Sequence, residues 1–358
     1  MFLFSCNKNI DHKQQFDNKE GFKTITINSK YEEKILSEKE YLSHIEFVPL
    51  DTDNDYLIGE VDKMAMDNNF IYILDKYISN SLFVFKRNGE FVQKIGTKGG
   101  GPGEYISIWD FELLPNSKLM ILDFTNNKLL FYENFNYTHT KNLIYPIESI
   151  AMLDSYYYFR MKKYENRSGF GLLISNKNIQ TIKKEFEFPP KSKEALHIPY
   201  NFREYSDSLT LIQPFENKIY RIKENNIIPK YYFDFGAKRL TYEVANFTNI
   251  NSWSNHTFLN GDFYENDNFI VFKFVNDGFL NTGLYNKKTS RLRYSKYLSA
   301  YIQLLNNKYI YNDNEAIFGV TEAQNIAYLD QEIKKQYGLM DVMETDNPII
   351  TISHFIKE

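Results

Sequence analysis

The chain has 358 residues, with 42 Lys and Arg against 46 Asp and Glu, a formal charge of −4. No broad basic field exists to gather phosphates, so nucleic acid is not an expected partner. Aromatic residues make up 17% and apolar residues 43%, including 30 Phe and 28 Tyr, which excludes a disordered polar chain and favours pleated, partly buried surfaces over helices.

Cys6 is the one cysteine, so no intramolecular disulfide can form. It follows Met1-Phe2-Leu3-Phe4-Ser5 and precedes a run of amides and charges. Leu3 three residues before the cysteine and small Ser5 just before it resemble the end of a bacterial lipoprotein signal. The charged start and long apolar core of such a signal are missing. The expectation is therefore that Cys6 is lipidated after export, with the true start codon upstream; the alternative is an ordinary N-terminal thiol. Residues 1–21 read as this truncated signal plus a flexible tether, and 22–358 as the folded unit. No other apolar run approaches the roughly 20 residues of a membrane span. Membrane contact is then expected only through a lipid at Cys6, in the periplasm or at the outer membrane.

Phe22 to Asn28 alternates apolar and polar residues and predicts a strand. Ile45 to Leu50 is again extended, and Pro49 places it at a sheet edge because proline cannot donate to a ladder. Ile71 to Asp75 and Leu82 to Phe85 read as half-buried strands around a turn at Asn80. Asn88-Gly89 predicts a two-residue hairpin turn with positive φ at both positions.

The pattern then repeats. Ile71 to Asp75 aligns with Leu119 to Asp123, and Asn80 to Phe85 with Asn127 to Tyr132 and again with Asn217 to Ile222. Tyr156 to Met161 with Leu172 to Ser175 supplies a weaker copy. The period is about that of a four-stranded propeller blade, roughly 40 to 50 residues. Further strands are expected at Asn268 to Val275, Gly283 to Tyr285, Arg291 to Tyr297, Lys308 to Tyr311, Ala316 to Val320 and Pro348 to Ile356. The fold class is therefore all-β, a six-bladed β-propeller closed by N- and C-terminal strands. One helical insertion is expected near residues 322–337, capped by Thr321 and Gln324, with Ile326, Leu329, Ile333 and Tyr337 on one face and Gly338 as its stop.

Asp75, Asn80, Leu82 to Phe85, Gly89-Glu90-Phe91, Ile95-Gly96 and Gly103-Glu104-Tyr105 together resemble the NHL repeat of six-bladed propellers; Ser81 replaces the usual histidine. With the Gly99 to Tyr105 run and the cysteine-plus-polar-tail start, the chain resembles six-bladed propeller lipoproteins of Gram-negative bacteria, many of unknown function. The resemblance covers residues 22 to 357. It implies the fold and an extracytoplasmic location, and carries over no catalytic residues.

No motif joins a nucleophile, a base and an orienting group, and none calls for a cofactor. The loop Gly96 to Gly103 lacks the ending of a phosphate-binding loop and is followed by an extended segment, so it reads as a connector between blades. The six histidines show no metal-ligand spacing. Because some NHL-type propellers are lyases with a metal held by histidines at the central channel, His197 and His256 are the histidines to locate. Asp62, Asp67, Asp75, Asp110 and Asp123 fit turn capping better than a calcium site, as does the Asp51-Thr52-Asp53-Asn54-Asp55 run. Tyr156 to Tyr158 and Tyr231-Tyr232 fit packing between blades. The expected function is an envelope-anchored binding or scaffolding module for a peptide, glycan or partner protein. The alternative is a metal-dependent lyase or hydrolase with its site in the channel.

Overall fold

The computed structural model describes residues 18–19, 21–37, 39, 41–161, 168–187, 202–205, 207–213, 216–240, 250–297, 308–312 and 315–356. In chain order, β1 (Asn18–Lys19), β2 (Phe22–Thr26) and β3 (Leu42–Pro49) precede the first complete blade. Blade 1 is β4 (Lys63–Met66), β5 (Phe70–Asp75), β6 (Ser81–Lys86) and β7 (Phe91–Lys94); the short β8 (Thr97–Lys98) and β9 (Glu104–Tyr105) follow. Blade 2 is β10 (Ile108–Leu114), β11 (Lys118–Asp123), β12 (Lys128–Glu133) and β13 (Asn136–Asn142). Blade 3 is β14 (Ile147–Leu153), β15 (Tyr156–Met161), β16 (Phe170–Ser175) and β17 (Thr181–Glu187). Blade 4 is β18 (Phe202–Tyr205), β19 (Ser208–Gln213), β20 (Lys218–Lys223) and β21 (Asn226–Asp234). Blade 5 is β22 (Phe258–Glu265), β23 (Phe269–Asn276), β24 (Phe279–Asn286) and β25 (Arg291–Ser295). Blade 6 joins β26 (Lys308–Asn312), β27 (Ala316–Thr321) and β28 (Ile349–Phe355) to β3 from the other end of the chain.

The six-bladed propeller expected from the repeat is thus the observed fold, and β28 pairs antiparallel with β3 to close it. Pro49 lies at the end of β3, the outer strand, where its missing N–H costs no ladder bond. β2 does not take part in that closure. It runs parallel to β21 as an extra outer strand on blade 4, and pairing with β1 begins within the segment read as tether. From there the chain crosses the rim of blade 5, where Glu33 and Leu36 donate to the carbonyls of Tyr294 and Tyr297.

The middle strands are buried on two faces, not one. In β5 and β6, Ile71, Ile73, Phe83 and Phe85 pack toward blade 6, whereas Tyr72, Leu74, Leu82 and Val84 pack toward blade 2. The period of two is kept, but both faces are covered, so the run reads as continuously apolar. Tyr157 and Tyr158 divide in the same way between the blade 2 and blade 4 sides of blade 3.

The repeated asparagines have a common geometry. Asn80, Asn127 and Asn217 all occupy the left-handed region, at φ 49°, 50° and 55°. Asn is the non-glycine residue best suited to it, because its side chain can bond locally. Here the amides reach further. Asn80 Oδ1 accepts from Ile108 N and Nδ2 donates to Ile108 O, both at 3.2 Å, joining the turn of blade 1 to the first strand of blade 2. Asn217 Oδ1 accepts from Leu259 N of blade 5 at 3.2 Å, and Asn127 Nδ2 donates to Leu143 O on the way to blade 3 at 2.8 Å.

Two local expectations change. Asn88 does not have positive φ; Gly89 alone does, at 92°. Gly89 N donates to Lys86 O and Lys86 N to Glu90 O, a tight turn followed by a left-handed glycine, with the ladder shifted between Val84 and Phe85. The expected single helix is two, α1 (Ala323–Ala327) and α2 (Gln331–Gln336). Thr321 is the last residue of β27, and Glu322 begins α1 without a side-chain cap. The break follows because Asp330 accepts from Glu332 N and starts a new helix. Ile326, Leu329 and Tyr337 still pack on Phe47 and Ile349 of blade 6, and Gly338 stops α2 at φ 68°.

Replacing Asn80 by Ala should cost about 2–3 kcal/mol, combining left-handed strain with loss of the Ile108 bonds. Asn80→Gly should recover only the strain part. Urea unfolding midpoints of the two variants separate the contributions.

Candidate functional site

The first strands of the blades circle the axis, and their charged side chains meet there. Lys63 of β4 places Nζ 2.7 Å from Asp110 Oδ1 and 3.6 Å from Glu112 Oε2 of β10, and donates to Phe111 O at 2.6 Å. Asp110 Oδ2 accepts from Ser149 Oγ at 2.9 Å and Ile150 N at 2.8 Å. Glu112 Oε1 accepts from Met152 N at 3.2 Å. These carboxylates of β10 therefore supply acceptors to the inner edge of β14, an edge with no further strand to pair it.

Burial opposes the charged form of Lys63, but Asp110 and Glu112, with the Asp110 hydrogen bond, outweigh both burial and the field of Arg203. Its pKa is raised. Asp110 is buried here as an ion-pair and hydrogen-bond partner.

At the mouth of the channel, the loop from Asp75 to Asn80 and the start of β10 carry an exposed cluster. Lys76 Nζ sits 4.4 Å from the Trp109 ring and 5.2 Å from that of Tyr77. Trp109 stacks on Phe124 at 4.6 Å, and Tyr77 meets Trp109 edge-on at 6.0 Å. Tyr77 and Ile78 are 55% and 66% exposed. Burial lowers the Lys76 pKa, against Asp110, Asp62 and Glu148, which favour its charge. Burial also raises the Tyr77 pKa, reinforced by Asp62, Glu148 and Glu60.

The loop beneath this cluster is held firmly. Asp62 Oδ2 accepts from Lys76 N at 2.7 Å; Asp75 accepts from Gly59 N at 2.8 Å and Ile78 N at 3.0 Å. Ile78 leaves no space for a side chain at Gly59, where an added Cβ would stand 2.4 Å from Ile78 Cγ2.

The other residues singled out in the sequence have local roles. Asp123 accepts from the backbone of Ile106 and Ser107, and Asp67 from Asn69 and Phe70. Asp53 caps a short turn by accepting from Asp55 N, and Asp51 accepts from Phe91 N. Tyr231 packs between blades 4 and 5. The glycine loop connects blades 1 and 2: Glu104 Oε2 accepts from Gly101 N at 2.6 Å, so the loop's own carboxylate stands where an anion would. His256 lies in the turn leading into β22, with its backbone N donating to Trp253 O. Cys6 and His197 lie outside the described residues. Lys63, Lys76, Tyr77 and Trp109 were not distinguished in the sequence. The Lys76-Tyr77-Ile78 sequence, polar turn residues giving way to bulky ones after Asp75, is the signal that marks the mouth.

The model of a family described as a domain of unknown function (DUF4934) matches residues 22–354. Among solved structures, a presumed exported protein of Bacteroides fragilis is 19% identical, covering 94% of this chain and 100% of that one at a TM-score of 0.75. A member of the DUF4221 family from Bacteroides vulgatus is 10% identical over 88% of this chain and 98% of that one, at 0.53. Virginiamycin B lyase from Staphylococcus aureus is 10% identical over 87% and 99%, at 0.46, too remote to speak to chemistry. At such identities the likeness is one of fold alone. No curated protein matches the chain.

Lys63→Met would take from Asp110 the ammonium it bonds at 2.7 Å and should cost about 3 kcal/mol near neutral pH. Because the folded-state pKa of Lys63 is raised, its contribution is complete below the unfolded lysine pKa and lost as pH climbs through the folded value. Wild type and variant should therefore converge at alkaline pH, as followed by urea unfolding across a pH series.

Proposed function

The chain belongs to the DUF4934 family, of unknown function, and on that footing we propose that it is an envelope-anchored binding propeller recognising a peptide, glycan or partner protein at the channel mouth. The supporting observation is the Tyr77–Ile78 pair: exposed aromatic and aliphatic surface on a loop fixed by Asp62, Asp75 and Asn80. Rigid aromatic surface binds with little loss of conformational freedom, which is what a recognition site requires. Lys76 and the nearby acids add polar groups that select among ligands. The channel carboxylates Asp110 and Glu112 are already engaged by Lys63 and the backbone of β14, so they do not favour a lyase or hydrolase centred there.

Screening wild-type protein on peptide and glycan arrays should yield a ligand whose affinity falls about tenfold or more in Tyr77→Ala/Ile78→Ser, with thermal stability retained. Turnover of an array compound that survives this double change but is lost in Asp110→Asn would overturn the reading in favour of channel chemistry.

Export and a lipid at Cys6 complete the proposal. The Bacteroides fragilis neighbour is described as a presumed exported protein, and among the described residues no helix is long and apolar enough to cross a membrane. In the native host, Cys6→Ser should move the protein from the membrane to the soluble fraction. Unchanged membrane fractionation, or an unmodified cysteine by mass spectrometry, would remove the anchor.

A further inference from the structure

The closing blade brings together three metal-type donors from opposite ends of the chain. In the β3–β28 register His44 faces His354, and Glu46 stands two residues along the same side of β3. The imidazoles stack with centroids 4.3 Å apart and planes within 6°. His44 Nε2 lies 3.3 Å from Glu46 Oε1, and His354 Nε2 lies 3.0 Å from the same oxygen. The possible ligand atoms of the three residues all fall within 4.8 Å of one another.

Ser43 sits against Nδ1 of His44 and offers it a hydrogen-bond partner on the side away from Glu46. Its hydroxyl has one hydrogen, and Oγ lies 3.3 Å and 3.4 Å from the carbonyls of His354 and Phe355. With that hydrogen given to a carbonyl, Oγ accepts from His44 Nδ1–H across 3.0 Å. In that arrangement Nε2 offers its lone pair on the side of Glu46, as a metal ligand must. His354 Nε2 approaches the same oxygen while buried and without an aligned hydrogen bond among the described residues. Both ring nitrogens converge on one carboxylate oxygen, and a divalent ion placed there would take a lone pair from each ring and from Glu46 together.

We infer that His44, Glu46 and His354 form a site for a zinc-type divalent transition metal. Imidazole nitrogen and carboxylate oxygen suit such an ion, whereas calcium and magnesium prefer all-oxygen sets. Ligand bonds of about 2.0–2.2 Å put neighbouring tetrahedral donors a little over 3 Å apart, close to the separations seen here. A fourth position remains for water. The Ser43 contact to Nδ1 is the outer-shell hydrogen bond that such ligands usually have. His44 and Glu46 are open to solvent, so the ion can enter and His44 can turn its lone pair toward it. Since 311 residues separate Ser43 from His354, the bound metal ties the first edge of the propeller to the last. It binds only when the ring is closed, and so stabilises the closed form.

The test uses the full, untagged chain, stripped with chelator and titrated with zinc chloride in a calorimeter. One equivalent should bind with micromolar or tighter affinity and raise the thermal midpoint, and cobalt in its place should give the intense visible bands of a four-coordinate ion. His44→Ala and His354→Ala should each abolish binding, and Glu46→Gln should weaken it at least tenfold. Should His354→Ala disturb folding, His44→Ala, on the outer strand, keeps the test open. Saturable zinc binding that persists in His44→Ala, or no binding below millimolar zinc, would overturn the assignment.

Discussion

A blade of this chain has two apolar faces and can cover neither by itself. That constraint makes the ring. Each adjacent pair of blades shares one apolar cluster: Phe83 and Phe318 between blades 1 and 6, Tyr72 and Phe111 between 1 and 2, Phe131 and Phe159 between 2 and 3. Tyr158 and Leu211 continue it between 3 and 4, Phe233 and Phe272 between 4 and 5, and Tyr264 and Phe355 between 5 and 6. Full burial of one such side chain contributes about 1.5–3 kcal/mol. An open ring would expose two whole faces at once, which is why the last blade is assembled from both ends of the chain.

Apolar packing alone does not set the angle between one blade and the next. Polar groups at the turns do so. Asn80, Asn127 and Asn217 turn the backbone through a left-handed conformation and use their amides to hold the segment that follows. Asp75 and Asp123, fully buried, accept from backbone N–H groups of the turn after them and of the connector before. The loops on this face are held because they are parts of the blade-to-blade joint. Tyr77 and Ile78 are displayed by a joint, not by a free loop.

The middle strands were legible because burial on two faces is written as an unbroken apolar run, and a repeated Asn marks the turn in blades 1, 2 and 4. Blade number and the terminal closure followed from that period. The first strands were less legible. β4 is Lys-Met-Ala-Met and β18 is Phe-Arg-Glu-Tyr, short and mixed, since their environment is the axis and not a neighbouring face. The break between α1 and α2 was missed because Asp330 acts as a cap, a choice that periodicity does not register. Contacts made across the ring have no local signature at all. Lys63 meets Asp110 47 residues away, and His44 meets His354 only through the closure. The short His44-x-Glu46 spacing, which places both side chains on one side of a strand, was the available clue.

The division of labour among charged residues follows from where strands end. At the inner edge of each blade the ladder stops, and backbone donors there need acceptors that no further strand supplies. Asp110 and Glu112 fill that role for β14, and their charge in turn requires Lys63. Such groups cannot easily be released for chemistry, because freeing Asp110 would take from Lys63 its shortest ion pair and from Ile150 N its acceptor at a buried site. At the outer edge the same shortage does not arise, since water satisfies the ladder. Side chains on the outer strand β3 are free of that duty. It is on this strand, and on the turn of blade 1, that the fold leaves residues whose geometry the packing does not explain.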